Sequence, residues 1–228
     1  MSGQDSMLKF DVWERTQTDA PVISDAAYNA LIGVVLCWGF AVNWLLVRHV
    51  DTSTLQNIHP ILFLLGYFAC CLGGVYLFNS SKSPSVSFLG YNLVVFPFGL
   101  VLNMVVSRYD PTLVLDAIRI TALVTVVMMI LGTIFPAFFQ RIHTALVIAL
   151  LAVIVIELVQ WFVFRIQQGW TDWAVVFIFC GYIGYDWGRA NRIPKTVDNA
   201  IDSAAAIYMD VVNLFIRILR ILGRGKRR

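Results

Sequence analysis

The sequence predicts an all-α integral membrane protein, built as a bundle of seven transmembrane helices. Of its 228 residues, 59% are hydrophobic and 14% are charged, whereas a soluble domain carries about 25% charged residues. The apolar residues are concentrated in seven stretches, each close to the roughly 20 residues that a spanning helix needs. Backbone groups inside a bilayer must pair within their own segment, so these stretches are expected to be helices.

Short polar loops separate the seven stretches, and each stretch is expected to cross the bilayer once. Pro111 falls at the first turn of the fourth span, where its missing N–H leaves no helical hydrogen bond unmade. The predicted spans cover residues 27–47, 60–78, 88–106, 112–139, 144–164, 173–187 and 200–222.

The predicted organisation is one bundle with two polar ends. A polar N-terminal segment occupies residues 1–25, the bundle residues 26–222, and a basic tail residues 223–228. The N-terminal segment lacks the apolar region of a signal peptide, so the first span is expected to act as its own insertion signal. The basic tail suits anionic lipid headgroups. Because no soluble fold accompanies it, the tail does not indicate nucleic-acid binding.

The basic residues outside the spans favour a cytoplasmic N-terminus. In that orientation the cytoplasmic side holds Lys9, Arg15, Lys82, Arg141, Arg189, Arg192 and Lys195, and the opposite loops hold Arg48, Arg108 and Arg165. The basic tail then lies on the opposite side if the last span crosses fully. Either the tail is an exception to the positive-inside rule, or the last segment is re-entrant, and the sequence leaves this open.

Asp186 and Asp210, in the sixth and seventh spans, are the strongest candidates for functional residues. A carboxylate near the centre of a bilayer costs roughly 3 kcal/mol or more, so it is rare without a role. Asp186 lies close to a span end, where it could instead end the helix and face water. For Asp210, nearer mid-span, the alternative is a structural carboxylate that is hydrogen-bonded to Asn or Tyr.

Small residues near Asp186 indicate a close helix contact. Gly184 and Gly188 are four apart, and Gly181 extends the same small face. Such faces let helices approach closely, which would bring Asp186 against a neighbouring backbone.

The seventh span carries a narrow polar stripe in an apolar surround. Ser203, Asp210, Asn213 and Arg217 recur at helical spacing. Such a stripe usually faces the interior of a bundle or a water-filled cavity. Asn213 and Arg217 are therefore candidates to line a cavity with Asp210, and Glu157 in the fifth span is a further candidate.

If the two carboxylates meet, they form a proton-sensitive site. Two carboxylates in low-dielectric surroundings cannot both ionise freely, and they titrate as a unit. A shared proton would hold the two helices together. The ionised pair would repel and offer hard oxygen ligands to a cation such as Ca²⁺. Asp186 and Asp210 are therefore predicted as the proton-sensing groups and as candidate Ca²⁺ ligands.

Catalytic and metal-site motifs are missing from the sequence. His49, His59 and His143 are interpreted as isolated loop residues, and no nucleophile triad, HExxH or phosphate-binding loop is present. We therefore predict no enzymatic activity and no cofactor, with Ca²⁺ only as a transported ion. Asp116 and Arg119, three apart, are predicted to form a local ion pair.

The last two spans resemble the Bax inhibitor-1 family, also called the transmembrane Bax inhibitor motif family. The resemblance rests on the Tyr-Ile-Gly-Tyr-Asp run that ends at Asp186 and on the run Ala206 to Leu219, with a weaker match at Leu131-Gly132-Thr133. It implies seven helices with the last one central. It also implies a pH-sensitive Ca²⁺ leak regulated by a hydrogen-bonded pair of aspartates, which Asp186 and Asp210 match residue for residue.

One feature of the family is missing from this chain. The family's pore latch uses an arginine near the cytoplasmic end of the second helix, and here that end holds no arginine before Lys82. Lys82, Arg189 and Arg141 are the candidates to replace it, although a lysine is a point charge without the bidentate fork of arginine.

The sequence therefore favours a cation leak gated by the two aspartates, with the lipid bilayer, Ca²⁺ and protons as partners. One alternative is a non-conducting interaction protein that modulates a membrane AAA protease or cell-death machinery. Another is a proton-coupled cation exchanger. The expected location is a bacterial inner membrane, or the endoplasmic reticulum in a eukaryote.

Overall fold

A computed structural model describes residues 20–160 and 169–226, and this part of the chain folds into helices without strands. Its eight helices are α1 (Asp25–His49), α2 (Thr52–Gln56), α3 (Pro60–Ser80), α4 (Pro84–Val106), α5 (Pro111–Ile134), α6 (Pro136–Val159), α7 (Trp170–Ala190) and α8 (Val197–Gly225). Most of the predicted N-terminal segment, the end of the predicted fifth span and the last two residues of the tail lie outside the described residues.

Local sequence explains where the long helices begin. Helices α3, α4, α5 and α6 each start on a proline, whose fixed φ and missing N–H suit the first helical position. The other type of start is a side-chain cap. The Thr196 side chain accepts from the Asn199 N–H at 3.1 Å at the start of α8, and Ser24 caps α1 in the same way.

The prediction of seven helices with a fourth span over residues 112–139 was wrong in its details. The chain leaves helical geometry at Phe135, with φ −121° and ψ 48°, because Pro136 disfavours a helical residue before it and starts a new helix. Residues 140–143, predicted as a loop, lie inside α6. The predicted first loop holds the short helix α2, which is capped by the Asp51 side chain.

Helices α1, α3, α4, α5 and α6 are each long and apolar enough to cross a membrane. Large apolar side chains cover their outer faces, such as Leu62, Leu123 and Ile148, which are 63–66% exposed. A soluble monomer rarely exposes such continuous apolar surface. Helices α7 and α8 are at least as long as α3 but carry more charge.

Helix α8 packs directly against α1, α4, α5 and α7, whereas α3 packs mainly on α4 and α6 mainly on α7. Side chains on several sides of α8 are completely buried, among them Ile207, Tyr208, Leu214 and Leu219. The most polar long helix therefore occupies the most protected position.

Helix α8 is also continuous over 29 residues, which corresponds to about 43 Å at 1.5 Å per residue. This length exceeds the roughly 30 Å of a bilayer core, so the re-entrant alternative does not describe this helix. Its basic end lies at the end of the bundle opposite to the start of α1.

Close helix contacts form where the sequence predicted a small-residue face. A Cβ atom on Gly188 would lie 2.9 Å from the Gly132 carbonyl oxygen, and one on Gly132 would collide with the Gly184 backbone. Helices α5 and α7 therefore touch through their backbones, one turn from Asp186. The predicted close approach is confirmed, and Gly132 is its partner.

This contact predicts that Gly132→Ala destabilises the protein. The new methyl group would force the α5 and α7 backbones apart, and overpacking of this kind typically costs about 1–3 kcal/mol. The measurement is the thermal unfolding midpoint of the purified protein in detergent. Gly33→Ala on α1 is the matched control, because a Cβ there meets nothing within 4 Å. Equal midpoints for the two variants would contradict the close contact.

Candidate functional site

The candidate site is a pair of carboxyl groups between the last two helices. Asp186 lies about one turn before the end of α7, and Asp210 lies near the middle of α8. Their side chains share a hydrogen bond. Two carboxyl groups can share such a bond only when one of them holds a proton, because an ionised carboxylate can only accept.

The pair is largely shielded by protein. Asp210 is 6% exposed, and its Oδ2 atom has no hydrogen-bond partner among the described residues. Asp186 is partly exposed. The site therefore has one carboxyl group that reaches the bundle surface and one that is enclosed, with an acceptor atom still unused.

Titratable and aromatic groups from α6 and α7 surround Asp186. His143 stacks on the Tyr185 ring, with centroids 4.0 Å apart and an interplanar angle of 22°. His143 and Arg189 both act electrostatically on Asp186, and Tyr182 lies close to both carboxyl groups. The interpretation of His143 as an isolated loop residue was wrong, because α6 starts earlier than predicted and carries it into the bundle.

A hydrogen bond fixes α7 next to the pair. The Trp187 indole N–H donates to the Thr133 hydroxyl on α5 at 2.8 Å, directly beside the Gly132 contact. The Leu131-Gly132-Thr133 run thus holds the helix that carries Asp186.

Of the three candidates for the family's latch, Arg189 is the one that interacts with Asp186. Its Nε atom is buried without a hydrogen-bond partner in the described part of the chain. Lys82 lies exposed in the turn after α3, and Arg141 is exposed on α6. Neither is among the neighbours that act on Asp186.

Polar residues elsewhere on α8 contact a different part of the bundle. The Tyr28 hydroxyl on α1 lies 3.1 Å from the Ser203 hydroxyl, and Asn43 donates to the Tyr208 hydroxyl at 2.6 Å. Ser203, predicted on the polar stripe, therefore joins α8 to α1. Asn213 donates to the Met209 carbonyl of its own helix at 2.8 Å and stays partly buried.

A second charged cluster lies near the other end of α8. The Arg217 guanidinium forms a two-pronged contact with the Glu157 carboxylate of α6, in which Nη2 lies 2.9 Å from Oε2. The same guanidinium donates to Asp172 of α7 at 2.9 Å. The structure thus places the candidates Glu157 and Arg217 in an ion cluster of their own, about two turns along α8 from Asp210.

The basic end of α8 is neutralised by acidic partners. Arg224 forms an ion pair with Asp172 at 2.6 Å, and Lys226 lies 3.7 Å from Asp110. Hydrogen bonds from the Thr112 side chain and backbone hold the pKa of Asp110 below its usual value, so Asp110 stays ionised opposite Lys226. Much of the positive charge that conflicted with the positive-inside rule is therefore paired.

Sequence reasoning missed Asp172, because residue 172 fell in the loop before the predicted sixth span, and α7 begins earlier, at Trp170. A usable signal was present in the spacing of the last arginines. Arg217, Arg220 and Arg224 recur at three and four residues, so they share one face of a helix. Such a face inside a membrane bundle requires acidic partners.

The exposed pair Asp116 and Arg119 is confirmed as a local ion pair at 3.6 Å. Within the described residues no group of three or more His, Cys, Asp or Glu side chains is arranged to hold a metal ion. Any cation at the aspartate pair would therefore need water or backbone oxygens as additional ligands.

A family model described as "Inhibitor of apoptosis-promoting Bax1" matches residues 23–227. The chain belongs to the Bax inhibitor family. An uncharacterized membrane protein of Streptococcus pyogenes serotype M3 is 29% identical over 137 residues, which are 56% of this chain and 58% of that protein. Bax inhibitor 1 of Schizosaccharomyces pombe is 29% identical over 183 residues, 77% of this chain and 66% of that protein.

A BI1-like protein of Arabidopsis thaliana is 49% identical over 49 residues, which are 21% of this chain and 18% of that protein. The match covers 58% of the length of the streptococcal relatives, which is less than two thirds. Together with its apolar helices, these matches identify the chain as a membrane protein of the Bax inhibitor family.

The second cluster predicts that Asp172→Asn destabilises the protein by roughly 3 kcal/mol. The Asp172 side chain is 2% exposed, and removal of one partner from a buried ion pair leaves uncompensated charge. The value lies at the low end of the usual range because Arg224 is 39% exposed. Unfolding in detergent measures the loss. Asp116→Asn, which breaks the exposed pair, is the control, and an equally small effect of both changes would contradict a buried cluster.

Proposed function

We propose that the protein is a pH-sensitive cation leak, with Ca²⁺ as the preferred ion, gated by Asp186 and Asp210. The observation that carries the proposal is the hydrogen-bonded contact between these two carboxyl groups on neighbouring helices. A pair of like charges inside a bundle is costly. In this proposal the pair is retained because it can exist in two protonation states. One state favours the contact between α7 and α8, and the other opposes it.

The physical mechanism follows from the shared proton. With a proton between them, the carboxyl groups attract and hold α7 against α8. Without it, two negative charges about 4 Å apart repel by about 4 kcal/mol at an effective dielectric constant of 20. That repulsion opposes the contact between α7 and α8, so loss of the proton favours an opened contact. The leak is therefore expected to rise with pH.

The ionised pair would also provide part of a cation site. Ca²⁺ takes six to eight oxygen ligands, and two carboxylates supply at most four. The remaining ligands would be water molecules in the opened contact. Arg189, beside Asp186, is the candidate that competes with the cation. Its positive charge stabilises the ionised Asp186 carboxylate when no cation is bound.

We further propose that all seven long helices cross the membrane and that the N-terminus is cytoplasmic. With this orientation the C-terminal end of α7 and the turn after α3 face the cytoplasm, together with Arg189, Arg192, Lys195 and Lys82. The basic end of α8 faces the other side, where Glu157, Asp172 and Asp110 pair with it. The bacterial plasma membrane is the proposed location, which the streptococcal relatives support.

The proposal predicts a Ca²⁺ flux that rises from pH 6 to pH 8 and loses this dependence in Asp210→Asn. One titrating proton changes the ratio of closed to open protein by at most about tenfold per pH unit. The asparagine keeps the volume and hydrogen bonding of the aspartate but cannot ionise. The measurement is Ca²⁺ entry into dye-loaded proteoliposomes, with Asp186→Asn as the second variant.

Asp116→Asn is the matched control, because Asp116 is exposed on α5 away from the pair, and it should behave as the wild type does. Unaltered pH dependence in Asp210→Asn would remove the sensor role. Absence of flux at any pH from folded wild-type protein would favour the non-conducting role as partner of a membrane protease. Saturable flux that depends on a counter-ion would indicate a proton-coupled exchanger.

A further inference from the structure

The cluster around Arg217 lies on the same face of α8 as the aspartate pair. Arg217 lies seven residues after Asp210, which places it on the same face of α8 about 10 Å further along the axis. Asn213 lies between them on this face and is partly buried. Both sites contact α7, through Asp186 at one level and Asp172 at the other.

The rest of α8 at this level is apolar and closed. Val212, Leu214, Ile218 and Leu219 are buried against the surrounding helices. The polar stripe of Asp210, Asn213 and Arg217 therefore offers polar atoms along this part of α8, and the partly buried Arg217 side chain lies on it.

The contacts of Arg217 tie three helices together at this point. Its guanidinium bonds Glu157 of α6 and Asp172 of α7, and the side chain is 17% exposed. Glu157 and Asp172 face three arginines, Arg217, Arg220 and Arg224, so the cluster keeps one positive charge in excess. Contacts on both sides already fix the planar guanidinium of Arg217. Little further side-chain conformational entropy is therefore lost when it stays in this position.

We propose that Arg217, held by Glu157 and Asp172, forms a second closure of the conduction path, in series with the Asp186–Asp210 pair. In this proposal the path is a groove between α7 and α8 along this face, and the fixed positive charge of Arg217 lies across it and repels an approaching cation, while its ion pairs hold α6, α7 and α8 together. This inference rests on the proposed leak, because a closure in series has meaning only if ions pass the aspartate pair. In this proposal Arg217 restricts the rate of cation flux, and it is separate from the proton sensor formed by Asp186 and Asp210.

The test uses Asn213→Cys as a reporter of water access between the two closures. The protein is placed in lipid nanodiscs at pH 6, where the shared proton closes the aspartate end, and is treated with a charged, membrane-impermeant thiol reagent. The labelling of the same protein without the reporter cysteine is subtracted. This subtraction corrects for reaction at the four native cysteines, Cys37, Cys70, Cys71 and Cys180. The Glu157→Gln/Arg217→Gln pair of substitutions is then added.

The paired substitution is chosen because it removes opposite charges together and avoids an unpaired buried charge. Asp172 keeps its ion pair with Arg224. The matched control is Asp116→Asn/Arg119→Gln, which removes an exposed ion pair whose side chains are 54% and 69% exposed. Thermal unfolding confirms that both double variants are folded.

We expect the reporter to label slowly with the cluster intact and several-fold faster in Glu157→Gln/Arg217→Gln, with no change in the control. Ca²⁺ flux at pH 8 should rise several-fold in the same variant and stay low at pH 6, because the aspartate pair still responds to protons. Unchanged labelling and unchanged flux at pH 8 in the folded variant would overturn the second closure and leave the cluster as a structural ion pair.

The two arms separate the two proposals. Rapid labelling at pH 6 with the Arg217 cluster intact, together with Ca²⁺ flux that stays low at pH 6, would show that water enters past Arg217 while the aspartate end is closed, which overturns the second closure. Absence of flux in every variant, combined with faster labelling in Glu157→Gln/Arg217→Gln, would support the closure of a water-filled groove at Arg217 and reject the proposed leak.

Discussion

The structure depends on one constraint: polar groups on the last helix must be satisfied inside an apolar bundle. Water inside a bilayer core is scarce, so each buried charge needs a partner from another helix. Helix α8 carries Asp210 and Arg217 within its length, and neighbouring helices supply the partners. The central position of α8 follows, since a helix at the edge of the bundle could not reach α1, α6 and α7 at once.

The two charged sites on α8 solve this constraint in different ways. Around Arg217, opposite charges meet, and the cluster is stable as long as all its members are present. At Asp186 and Asp210, like groups meet, and only a proton makes the contact favourable. The first arrangement is held by attraction between opposite charges, whereas the second needs a shared proton. In the proposed leak, the aspartate end is the one that responds to protons.

The sequence was sufficient to predict the helices and the small face of α7, which depend on local spacing, and to single out the two aspartates as candidates from the cost of a carboxylate in lipid. It was not sufficient where tertiary partners decide. The break at Phe135 and Pro136 is hidden in a continuous apolar run, and only the proline marks it. Asp172 was missed because it lies at the edge of a span, where a charge usually faces water and requires no explanation.

The distribution of polarity among the helices has a consequence for how such proteins are recognised. Helices α7 and α8 are not among the five that qualify as spans by apolar composition, although α8 is the best protected of the long helices. Its polar groups raise the cost of contact with lipid, and the same groups make contact with other helices favourable. The least apolar helix is therefore driven to the centre, where its charged groups find partners on other helices and where the surrounding apolar helices separate it from lipid.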